Sequence, residues 1–91
     1  SQMPNALMEY MGYLIYFWSM EDGEPVHVHV SKHKQKNATK FWITTEGIEM
    51  AKDTGSIEKK DMKAMLAHLR ANRDSIIASW IAYFGKAELK R

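Results

Sequence analysis

Glu24-Pro25-Val26-His27-Val28-His29-Val30-Ser31 is the stretch that decides the fold. Val26, Val28 and Val30 alternate with His27 and His29. Successive side chains on an extended backbone point to opposite faces, so the valines share one face and the imidazoles the other. This is the signature of a half-buried strand. Upstream, Glu21-Asp22-Gly23-Glu24-Pro25 is a loop with a strong Asp-Gly turn signal. Before it, Gly12 opens the run Tyr13-Leu14-Ile15-Tyr16-Phe17-Trp18, dense in aromatic and branched residues. Apolar on both faces, this run belongs in the middle of a sheet. The segment from Met3 to Met11 is mixed, with Pro4-Asn5 as a breaker, and reads as a short lead-in strand or turn.

Downstream, Thr39 to Thr45 reads as the next strand, and Glu46-Gly47 as a tight turn into a short one, Ile48 to Ala51. Links this short favour antiparallel neighbours. After Gly55 the period changes. Ser56 is a candidate N-cap, with Glu58 and Asp61 in the first turns. Met62, Met65, Leu66, Leu69, Ile76, Ile77, Trp80, Ile81 and Phe84 then follow a helical stripe. One long helix from about Ile57 to Phe84 is favoured over two that break near Asn72. Gly85 suits the helix stop, and the tail after it is expected to fray. The expectation is an α+β fold in one domain spanning residues 1–91. A small antiparallel three- to four-stranded meander (12–51) precedes one long, or two consecutive, C-terminal helices (56–84) packed on the sheet.

The 91 residues are 45% hydrophobic and 26% charged, which suits a globular chain and argues against global disorder. Cysteine is absent, so disulfides, thiolate catalysis and Cys-type zinc sites are excluded. Ser1-Gln2 before Met3 is given no weight. The opening lacks the pattern of a signal peptide and no apolar run is long enough for a bilayer, so a cytoplasmic protein without membrane attachment is expected. Thirteen basic against eleven acidic side chains leave a net charge of +2, too small to imply nucleic acid. Locally, Lys32 to Lys40 holds four lysines and one histidine with no acid.

Two clusters can carry chemistry. His27 and His29 stand roughly 6–7 Å apart at the backbone, from a rise of about 3.3 Å per residue. That spacing suits two ligands on one divalent metal ion, or two acid–base groups around one substrate. It equally suits a binding surface or plain structure. His33 is a candidate third ligand, and His68 flanks the helical stripe. Glu21, Asp22 and Glu24 can orient an imidazole or complete a metal site. The second cluster is Lys32, His33, Lys34, Lys36, Lys40 and Trp42, a set able to hold phosphate and stack bases. A solvated, charged hairpin loop accounts for the same lysines. Phe41 and Trp42 face opposite ways, so at most one is core. No Gly-rich phosphate cradle or nucleophile elbow is visible.

Four segments, Gly12 to Phe17, Glu24 to Val30, Ala38 to Ile43 and Trp80 to Phe84, together with Asn72-Arg73, resemble a small bacterial family catalogued as domain of unknown function 4160. In such proteins the histidine run usually reads Pro-Pro-His-x-His; here Glu24 stands in place of the first proline. The resemblance implies no established activity. Members look like halves of two-gene cassettes of the toxin–antitoxin kind, which implies a small partner protein and an RNA- or DNA-directed role. The function expected is a protein- or nucleic-acid-binding regulatory module, with a homo-oligomer as a further option. The alternative is a small nuclease or hydrolase using His27 and His29, with Lys32, Lys34 or Lys36 on phosphate.

Overall fold

The computed structural model describes residues 4–91. Met3, counted in the expected lead-in segment, lies outside the described residues. Five strands form one antiparallel sheet in sequential order: β1 Pro4–Tyr10, β2 Tyr13–Trp18, β3 His27–Ser31, β4 Thr39–Ile43 and β5 Ile48–Lys52. A single 3-10 turn, Lys59–Asp61, leads into α1 Met62–Ala71 and α2 Arg73–Phe84.

The sheet thus has one strand more than the three to four expected. The extra strand is β1, which pairs with β2 through the two-residue Met11-Gly12 link. Both link residues have positive φ, 53° and 82°, as a type I′ hairpin turn requires. Met-Gly is not the usual signal for that turn. The register also slips between Ala6 and Met8, and both Leu7 and Met8 pack against the core. A bulge of this kind breaks the alternation that would have marked a strand. Pro4 opens β1 at the sheet edge, a position where proline is tolerated.

The valine face is the core face. Val28, Val30, Ile15, Phe17, Phe41 and Ile43 meet Met65, Leu69, Ile76 and Trp80 from the helices, all at most 1% exposed. Tyr13 joins this side and ties it to the helix entry. Its hydroxyl donates to Asp61 Oδ2 (2.7 Å) and accepts the Glu58 N–H (2.9 Å). Burial, then the Asp61 carboxylate, holds the Tyr13 phenol above its ordinary pKa.

Three local expectations change. The helical half divides in two at Asn72, whose backbone (φ −108°, ψ 16°) leaves the helical path. Its side-chain amide donates to the His68 carbonyl (2.9 Å), while its own carbonyl accepts the Ile76 N–H (3.0 Å) that starts α2. A short side chain competing for backbone groups is the usual reason Asn interrupts a helix. Ser56 is not an N-cap: its hydroxyl donates to the Val30 carbonyl and accepts the Thr39 N–H, pinning the chain to β3 and β4. The tail does not fray either. Val26 N–H donates to the Glu88 carbonyl (2.8 Å), and Lys90 exchanges backbone bonds with Ile43 and Thr45. Gly85, at φ 88°, closes α2 as expected.

Candidate functional site

The second face of the sheet is not bare. His27, His29 and Ser31 on β3 and Tyr16 on β2 are buried there. The cover comes from the two loops that flank β3. In the first, Glu21 turns back over the sheet: the Trp18 N–H donates to Glu21 Oε1 (2.7 Å), and the Glu21 N–H to the Trp18 carbonyl (3.2 Å). In the second, the Tyr16 hydroxyl donates to the Gln35 carbonyl (2.9 Å), accepts the Gln35 N–H (3.2 Å) and shares a hydrogen bond with Ser31 Oγ (2.7 Å). A buried tyrosine thereby anchors the basic loop.

Glu21, His27 and His29 converge. His29 Nε2 lies 2.9 and 3.1 Å from the two carboxylate oxygens, and His27 Nε2 lies 3.0 Å from Oε2. The side chains of His27, His29 and Glu21 are 0%, 8% and 14% exposed. The imidazoles meet edge to face with centroids 5.1 Å apart. Trp42 and Trp80 pack on His27 (5.6 and 5.1 Å), and Tyr16 packs on His29 (5.8 Å).

The proton positions follow from the partners. His27 Nδ1 faces the Pro25 carbonyl at 2.9 Å, and a carbonyl only accepts, so Nδ1 carries the hydrogen. Nε2 of a neutral His27 is then a lone pair facing a carboxylate. Despite its 3.0 Å separation from Oε2 it lies off any hydrogen-bond direction, and it is buried without a hydrogen-bond partner among the described residues. His29 donates through Nε2, and its Nδ1 is likewise buried and unpartnered. Burial raises the Glu21 pKa, but donation from His27 in its protonated form, from His29 and from the Trp18 N–H outweighs it. The carboxyl is held far below the usual carboxylate range.

Of the residues singled out in the sequence, the structure brings His27 and His29 together and adds Glu21 to them. His33 is exposed and is not part of the converging set, and His68 stacks on Tyr10 (3.8 Å, 5° between planes). Lys32 pairs with Glu58. Lys40 pairs with Glu24 (2.6 Å) and sits 4.2 Å over the Trp42 ring, so both belong to the sheet surface and not to an open loop. Phe41 is fully buried and Trp42 half-buried, as opposite faces require. Lys34 and Lys36 are exposed, and no described acid pairs with them. A cleft of about 270 Å³ runs between the 22–24 turn, Trp80 and the 86–88 tail; neither histidine lines it.

A family described as Domain of unknown function (DUF4160) matches residues 12–81, from the start of β2 into α2. The chain belongs to this family. Glu21, His27 and His29 all fall inside the matched segment, whereas β1 and the Lys86–Glu88 tail fall outside it. No curated protein matches the chain, and no solved structure does. Among the described residues no helix is long and apolar enough to cross a membrane.

Proposed function

We propose that this member of the family is a protein-binding module of the regulatory, toxin–antitoxin-like kind, and that it engages its partner through the outer face of α2. The observation that carries this reading is the composition of that helix. From Ser75 to Phe84 it holds no charged residue. Ile76 and Trp80 turn inward and are buried, yet Ala78, Ile81, Ala82 and Tyr83 face solvent, Ile81 at 44% and Tyr83 at 50% exposure. A helix apolar on every side is ordinarily buried on every side. An uncharged outward stripe of this length suits the centre of a protein interface, where charge is depleted and aromatic residues are enriched.

The hydrolytic alternative draws less support from the geometry. A general acid or base must come within hydrogen-bond reach of the substrate. Here both imidazoles are enclosed by aromatic rings and committed to Glu21 and Pro25.

Co-expression with the protein encoded beside it tests the reading. The wild type is expected to co-purify as a stable complex, and Ile81→Asp to lose the partner by at least tenfold in affinity with its thermal midpoint unchanged. Absence of a complex, or equal binding by Ile81→Asp, refutes it. A homodimer in size-exclusion chromatography that Ile81→Asp dissolves assigns the face to self-association and also refutes it.

A further inference from the structure

We propose that Glu21, His27 and His29 form a binding site for one divalent transition-metal ion, with Zn²⁺ the ion best matched to two imidazoles and a carboxylate. One potential ligand atom from each residue lies within 4.8 Å of the other two. In a tetrahedral zinc site with bonds of about 2.0–2.1 Å, neighbouring donor atoms stand about 3.3 Å apart. The carboxylate-to-imidazole separations here, 2.9 and 3.0 Å, reach that spacing with movements of a few tenths of an ångström.

Three further observations point to an ion. The first is His27 Nε2, fully buried, without a hydrogen-bond partner among the described residues and, in the neutral ring, a lone pair 3.0 Å from a carboxylate oxygen that cannot donate to it. Two facing acceptors repel, and a cation between them turns the repulsion into coordination. The second is the Nδ1–H bond from His27 to the Pro25 carbonyl, the arrangement that fixes tautomer and ring orientation in metal-binding histidines. The third is enclosure. Trp42, Trp80 and Tyr16 wall the cluster, so a bound ion would exchange slowly. His29 has no matching Nδ1 acceptor among the described residues; Glu21 and ring contacts hold its imidazole. Glu21, the most exposed of the three and carried on a loop, is the side where a fourth ligand would enter. Such an ion would tie the Ser19–Pro25 loop to β3 and so contribute to folding.

The test uses tag-free protein stripped with chelator and titrated with Zn²⁺ in a calorimeter and in thermal melts. One equivalent is expected to bind per chain. The midpoint is expected to rise by about 10 °C or more at a hundredfold excess over Kd. Co²⁺ in place of Zn²⁺ is expected to give the intense visible bands of a tetrahedral site. Glu21→Gln and His29→Gln should each lose binding by at least tenfold, while the His33→Ala/His68→Ala double variant should bind as the wild type. If Glu21→Gln fails to fold, the Co²⁺ spectrum of the double variant decides. No binding by folded wild type overturns the proposal, as does binding that survives both site variants or disappears with His33 and His68.

Discussion

Removing Glu21 in metal-free protein separates the hydrogen-bonding part of the buried cluster from anything an ion adds. Glu21→Ala takes away the acceptor for two donors, the Trp18 N–H and His29 Nε2–H. A bond to a charged acceptor contributes about 1.5–3 kcal/mol, and the freed side-chain entropy returns roughly 1 kcal/mol. With two such bonds lost, the net loss is about 2–5 kcal/mol, a fall in midpoint of about 10 °C or more for a domain of this size. Glu21→Gln should cost less than half as much. Its carbonyl oxygen can still accept from Trp18 or His29, and its amide can donate to the His27 Nε2 lone pair that now faces a carboxylate. Urea unfolding at pH 7 with chelator present measures both. The pH dependence has a fixed sign. The folded carboxyl is held far below its unfolded value of about 4.3, so its contribution is complete above that pH and is lost as pH falls below it. The gap between wild type and Glu21→Gln should therefore be full at pH 7 and narrow below about pH 4. A Glu21→Ala cost under about 0.5 kcal/mol, or a gap that widens in acid, would refute this account of the cluster.

Two further outcomes follow from the fold. Met11→Asn places the residue favoured at the first central position of a type I′ turn where φ is already 53°, and should stabilise by about 0.5–1 kcal/mol in urea titrations; a loss would contradict the assigned turn. Trp80→Ala removes a ring packed on Phe17, His27 and Phe84 (5.0, 5.1 and 4.6 Å) and should cost about 3–5 kcal/mol, near the limit for a chain this small; a loss below about 1 kcal/mol, by calorimetry, would mean the core is not organised around it.

Residues whose partners lie nearby in sequence were the legible ones. Val26, Val28 and Val30 reported their strand through period two, and the Phe41/Trp42 split followed from the same rule. β1 was obscured because its bulge at Leu7 breaks alternation and its turn uses Met-Gly. The helix break was visible only as an interruption at Asn72, since the apolar stripe on either side stays in phase. Glu21 was one of three acids in a loop, and nothing local distinguished it from Asp22 or Glu24.

Composition and periodicity alone determined an α+β chain without cysteine, a β3 strand with its valines on one face, and two imidazoles on the other. They act through the backbone geometry of a few consecutive residues, which any copy of that segment shares. Tertiary structure alone decided that the histidine face is covered, that Glu21 closes on it, and that α2 keeps an apolar flank toward solvent. Each of these depends on where a loop or helix comes to rest against a distant strand, and that is set by the packing of the whole core.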